Sequence, residues 1–101
     1  MTVTVEFQGP LAIIILLGGI DYSTQEEIRN ATTKVLSVDT VNEIHVNFAG
    51  ATFLDSSVIR ALIMLQKEAN SNGKSLVLLH CNDNMRDVFE IGGFDNLFTF
   101  R

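Results

Sequence analysis

The chain has one cysteine, no signal-like opening and no apolar stretch of membrane-spanning length, and each shortage excludes a class of protein. A lone Cys81 cannot form an internal disulfide bond, which favours the reducing cytoplasm. The longest apolar run, residues 11–20, falls well short of the roughly 20 residues that a membrane helix needs. Met1 leads directly into alternating Thr and Val, which is not the pattern of a signal peptide. We therefore expect a cytoplasmic protein that is not inserted in a membrane.

Basic residues are also scarce. Seven Lys and Arg face twelve Asp and Glu, which gives a net charge of −5, and the seven are scattered along the chain. A protein that binds nucleic acid directly needs a basic patch for the phosphates, so that class is disfavoured. Apolar residues make up 47% of the 101 residues, which is too many for disorder and enough for one core. We predict a single domain over residues 1–101.

Alternating and short apolar runs predict five strands. They lie at residues 3–7, 11–17, 44–48, 76–81 and 97–100. Gly18-Gly19 is expected to end the second strand, and residues 49–52 are expected to be a connection after the third. Helical periodicity predicts three further elements, which gives the order β-β-α-β-α-β-α-β. This order requires a mixed sheet with helices packed on it.

The first and third helices have clear start signals. Ser23 with Glu26, and Thr24 with Glu27, both have the spacing of a capping box at the first helix. The third helix is expected to begin at residues 82–84, where Asn and Asp can cap it, and to stop at Gly92-Gly93.

The second helix is expected to begin after Asp55 and to run to about Asn70. Asp55 is the predicted N-cap, because its carboxylate can accept from unpaired backbone N–H groups, and this puts Ser56 and Ser57 in the first turn. A buried stripe is predicted at Val58, Leu62, Leu65 and Ala69, with Ala61 close by. The opposite side carries Ser56, Arg60, Ile63 and Lys67. A hydroxyl at a helix start, on a face with positive charge and exposed apolar surface, predicts a phosphorylatable docking site.

Two alternatives stay open for this stretch. Asp55, Ser56 and Ser57 also fit a plain helix cap with no further role. Ile63 and Met64 fit additional core as well as they fit partner contact.

Nothing in the sequence favours an enzyme, a metal or a cofactor. His45 and His80 lie in strand patterns without a surrounding ligand cluster, which favours structural histidines. Cys81 beside His80 is not expected to form a dyad, because neighbouring strand residues point to opposite faces. Gly18-Gly19 lacks the spacing of a nucleotide-binding loop. We expect no catalytic residue, no metal site and no bound cofactor.

The segment Phe53-Leu54-Asp55-Ser56-Ser57, after the strand at 44–48, resembles the phosphorylation motif of bacterial anti-sigma factor antagonists. These are single-domain members of the STAS family. Gly19-Ile20-Asp21 is similar to the glycine–aliphatic–aspartate turn of that family, and residues 88–98 resemble its closing segment. The resemblance covers essentially the whole chain and implies a STAS-like α/β fold.

The resemblance also implies a function in partner switching. In that family the unphosphorylated antagonist binds an anti-sigma factor, which is also a serine kinase, and so releases the sigma factor. The kinase phosphorylates the serine after the aspartate, and a PP2C-type phosphatase reverses the reaction. By position that serine is Ser56, with Ser57 as the runner-up. The implied partner-binding residues are Asp21, Asp55, Ser56, Ser57, Ile59, Arg60, Ile63 and Lys67.

Two departures from the family pattern bear on these expectations. Val58 stands where the family usually has glycine, which changes how closely a kinase can approach. Relatives commonly add a last helix beyond the position of Arg101, so one sheet face is expected to be less covered and to favour a homodimer or a second partner. The competing interpretation is a STAS-type docking subunit of a transport system or of a larger signalling assembly, with Ser56 as a cap only.

Overall fold

The computed structural model describes residues 2–101, and the strands in this range form one mixed sheet in the order β1-β2-β3-β4-β5. β1 pairs antiparallel with β2, and the later neighbours pair in parallel. The strands are β1 (Val3–Gln8), β2 (Leu11–Ile20), β3 (Glu43–Leu54), β4 (Ser75–Leu79) and β5 (Thr99–Phe100).

Each parallel connection contains a helix. α1 is Gln25–Leu36, α2 is Ile59–Ser71 and α3 is Asp83–Ile91. The predicted order β-β-α-β-α-β-α-β and the mixed sheet are therefore confirmed. A short 3-10 turn precedes each of α1 and α2, and a third, at Asp95–Leu97, precedes β5.

The hydrophobic core lies between one face of the sheet and the helices. Alternate strand residues such as Ile14, Val46 and Leu78 point to this face and are at most 1% exposed. The buried apolar residues of all three helices join them in a single cluster. The stripe predicted for α2 is confirmed, since four of its residues are completely buried: Val58, Leu62, Leu65 and Ala69.

The other face of the sheet lies outside that cluster. Its apolar residues are Leu11, Ile13, Ile15, Val77 and Leu79, and none of them packs against the core. Four of them are half-buried, while Val77 is 3% exposed. The expectation that a second copy or another partner covers this face stays a prediction.

Two strands are longer than expected. β2 continues through Gly18-Gly19 to Ile20, and β3 continues through residues 49–52 to Leu54, so both predicted ends were wrong. The two strands stay paired because β3 carries an extra residue at each of two irregularities. Gly19 leaves room for a large neighbour, because a Cβ there would clash with the ring of Phe53. The glycine-containing segments looked like turns in the sequence, so the continuation of β2 and β3 through them was not predicted.

The end of β4 also differs from the prediction. The strand stops at Leu79, and His80 adopts a left-handed backbone with φ of 63°. His80 and Cys81 are therefore in a loop and not in a strand. β5 is shorter than predicted, because Leu97 belongs to the preceding 3-10 turn.

Truncating one side of α2 should destabilise the fold much more than truncating the other. Leu62 is completely buried, so Leu62→Ala should lower the free energy of unfolding by about 2–5 kcal/mol through lost burial and cavity formation. Met64 is 49% exposed, so Met64→Ala should change it by less than about 0.5 kcal/mol. Urea unfolding followed by circular dichroism measures both, and similar losses for the two variants would contradict this packing.

Candidate functional site

The candidate site is built at the carboxyl ends of two neighbouring parallel strands. Ile20 of β2 pairs with Leu54 of β3. The next residues are Asp21 and Asp55, and the backbone N–H of Asp55 donates to the carbonyl oxygen of Ile20 at 2.8 Å. The two aspartates therefore leave the sheet side by side.

The two aspartates cap equivalent turns. The Asp55 carboxylate accepts a hydrogen bond from the backbone N–H of Ser57 at 2.9 Å, and the Asp21 carboxylate accepts one from Ser23 at 2.9 Å. The prediction of Asp55 as a cap is confirmed, although the first turn is 3-10 and α2 proper begins at Ile59.

The capping boxes predicted for α1 are wrong. Thr24 makes no side-chain cap to α1, and its hydroxyl donates instead to the carbonyl oxygen of Asp21 at 2.6 Å. Asp21 takes the capping role because its carboxylate already faces the N–H groups of the 3-10 turn that precedes the helix.

A side chain of α1 connects the two turns. The amide Nε2 of Gln25 donates to the carbonyl oxygen of Ser57 at 2.5 Å. This hydrogen bond joins residues that are 32 positions apart, so it fixes the start of α1 against the start of α2. No local sequence signal points to this role of Gln25, because it depends on the pairing of β2 with β3.

The two serines differ in access. Ser56 is exposed, whereas the Oγ atom of Ser57 is buried and has no hydrogen-bond partner among residues 2–101. Ser56 is therefore accessible at the protein surface, whereas the hydroxyl of Ser57 is not.

Ser56 borders a groove of about 540 Å³ that runs beside the outer face of α2. We call it the Ser56 groove, and its charged lining residues are two cations, although the whole chain carries a net charge of −5. Both cations are exposed. The complete lining is Ser56, Ser57, Ile59, Arg60, Ile63, Met64, Lys67 and Phe94.

Ile63 and Met64, predicted as either additional core or partner contact, differ in burial, and their contact with a partner stays a prediction. Ile63 is half-buried and packs against the core while it borders the groove, whereas Met64 is exposed. Ile59, predicted as a partner contact, is only 2% exposed. Ile59 also lines the Ser56 groove, so its role in partner contact stays a prediction.

Sequence reasoning missed Phe94 as a groove residue. Phe94 lies after α3, and its backbone N–H donates to the carbonyl oxygen of Phe89 at 2.8 Å, which holds the loop beside the helix end. Its position next to α2 depends on the order of strands in the sheet. The only available signal was the family-like segment at residues 88–98.

Other candidate chemistry is absent from the described residues. Residues 2–101 contain no group of three or more His, Cys, Asp or Glu side chains arranged to hold a metal ion. Burial raises the pKa of the Cys81 thiol to about 12, and the nearby Arg86 opposes this shift only in part. A thiol with this pKa is protonated at neutral pH and is a poor nucleophile. No helix within residues 2–101 has the length and apolar character to cross a membrane.

The comparisons with family models, protein sequences and solved structures all indicate the same family. The model of the STAS domain matches residues 2–101. The chain belongs to the STAS domain family. This family consists of binding domains and not of enzymes, in agreement with the prediction from the sequence.

Individual relatives share about a quarter to a third of their residues with this STAS domain. A STAS-domain containing protein of Pseudomonas aeruginosa is 28% identical over 84% of this chain and 82% of its own length. The anti-sigma F factor antagonist of Lysinibacillus sphaericus is 30% identical over 80% of this chain and 69% of its own.

The anti-sigma factor antagonist SpoIIAA has been solved in an unphosphorylated and a phosphorylated form. The unphosphorylated form matches this STAS domain with a TM-score of 0.81 and 24% identity, over 98% of this chain and 87% of that one. The phosphorylated form matches with a TM-score of 0.75, also at 24% identity, over 98% of this chain and 90% of that one. At this identity the comparison establishes the STAS fold.

Removing the Asp55 cap should destabilise the STAS domain modestly. Asp55→Ala leaves the N–H of Ser57 without its acceptor and should lower the free energy of unfolding by about 1 kcal/mol. Asp55→Asn keeps an acceptor and should stay close to the wild type. Asp39→Ala, in the exposed loop before β3, is the matched control and should change stability by less than about 0.5 kcal/mol. Urea titration measures all three, and equal effects of Asp55→Ala and Asp39→Ala would refute the capping role.

Proposed function

We propose that this STAS domain is an anti-sigma factor antagonist that works in the bacterial cytoplasm. In this proposal the unphosphorylated form binds an anti-sigma factor that is also a serine kinase, and so releases a sigma factor. Phosphorylation of Ser56 prevents the binding, and a PP2C-type phosphatase restores it. The named antagonists among its relatives support the general role.

The exposure of Ser56 carries the proposal. Ser56 follows the Asp55 cap directly, is open to solvent and borders a groove, whereas the Ser57 hydroxyl is buried. A simple capping sequence would need neither the exposed apolar surface of Met64 nor the two cations beside it. The cation-lined groove is complementary to an acidic partner segment, since charge complementarity steers association and selects partners.

Phosphorylation should change binding without unfolding the chain. A phosphate adds a charge of about −1.5 to −2. At Ser56 it lies near the start of α2, where backbone N–H groups and the helix dipole tolerate negative charge. The same dianion would have to be desolvated or would repel an acidic partner at the interface. A loss of about 3 kcal/mol in binding free energy weakens an interaction by more than a hundredfold.

The proposal is tested by measuring how a set of variants is phosphorylated by the partner and how tightly each variant binds it. The partner is captured from a lysate of the source bacterium on the immobilised chain, identified by mass spectrometry and then purified. Incubated with it and ATP, the wild type and Ser57→Ala should each gain one phosphate, while Ser56→Ala should gain none. Ser56→Asp should weaken binding by about a hundredfold in calorimetry, because it places a permanent negative charge at the groove.

Two controls separate the switch from general effects of charge and folding. Thr40→Asp adds the same charge in an exposed loop at the opposite end of β3 and should leave the affinity unchanged. Ser57→Ala removes a hydroxyl that makes no hydrogen bond and should bind as the wild type does. If Ser56→Asp binds with wild-type affinity, the switch is wrong and a constitutive docking subunit becomes the better account.

A further inference from the structure

Ser56 belongs to the 3-10 turn before α2, and Arg60 is the second residue of α2. The two residues are therefore close along the chain, and both line the Ser56 groove. Arg60 also lines a second groove, of about 400 Å³, between α1 and α2. Arg60 therefore lies between the two grooves and shares one of them with Ser56.

Arg60 has no acidic partner in the structure. Among residues 2–101 the ion pair that forms joins His45 to Glu43, on the far face of the sheet. The other cation of the groove, Lys67, is likewise unpaired within this range. An exposed and unpaired guanidinium beside a phosphorylatable hydroxyl has the chemistry of a phosphate acceptor, because its planar fork matches phosphate oxygens.

We infer that Arg60 is the intramolecular acceptor of the phosphate on Ser56. This inference rests on the proposed phosphorylation of Ser56, and it adds how that phosphate acts. Arg60 and Lys67 together supply two positive charges to the groove, and a phosphate of about −1.5 to −2 nearly cancels them. The modification then removes the positive potential that attracts an acidic partner, in addition to placing a dianion at the interface.

The pairing can be tested without the kinase or the partner. The full chain is produced with phosphoserine encoded genetically at position 56, and the phosphate is titrated by ³¹P NMR. A free phosphoserine has a second pKa of about 6. The pKa in the wild type should lie below this value, because Arg60 stabilises the dianion. Arg60→Gln should raise it by about half a pH unit, the size expected for an exposed ion pair.

Matched variants show whether the shift belongs to Arg60. Lys34→Gln removes an exposed cation from the last turn of α1 and should leave the pKa unchanged. The ¹⁵Nε resonance of Arg60 should move when Ser56 carries phosphate, which reports the contact directly. A pKa that Arg60→Gln leaves in place, or that only Lys67→Gln raises, overturns the inference.

The titration of the phosphate and the kinase assay distinguish a wrong assignment of Arg60 from a wrong proposed function. An unchanged pKa would remove Arg60 as the acceptor and leave the switch itself untouched. If the kinase does not modify Ser56 while the titration shows the pairing, the proposed function fails and the electrostatic relation between the two residues stands.

Discussion

The site depends on the parallel pairing of β2 with β3 as far as Ile20 and Leu54. This pairing brings Asp21 and Asp55 out of the sheet together, and each carboxylate then caps the turn that follows. Had either strand ended at its glycines, the two turns would not be neighbours and Gln25 could not reach Ser57. The position of the exposed hydroxyl is therefore set by backbone hydrogen bonds of the sheet and by two carboxylate caps.

Burial then assigns different roles to adjacent residues. Val58 and Ile59 are buried in the core, the Ser57 hydroxyl is also buried, and Ser56 is exposed to solvent. Val58, which departs from the usual glycine of the family, is completely buried. Its side chain therefore fills the core and adds no bulk to the Ser56 groove.

Much of the fold could be predicted from the sequence, because its signals are local. The buried stripe of α2 follows from helical periodicity, and the caps at Asp55 and Asn82 follow from their side-chain acceptors. The continuation of β2 and β3 through their glycines could not be predicted in the same way. It depends on a partner strand more than thirty residues away, with Gly19 making room for Phe53. The contributions of Gln25 and Phe94 were missed for the same reason.

We propose that Ser56, and not Ser57, is the residue that is modified in the cell. The most direct measurement is the intact mass of the protein purified from its native host, followed by peptide mapping of any modification. The account predicts a population with one added phosphate, mapped to Ser56. A phosphate mapped to Ser57 would contradict the accessibility argument, and the absence of phosphate under every growth condition would contradict the switch.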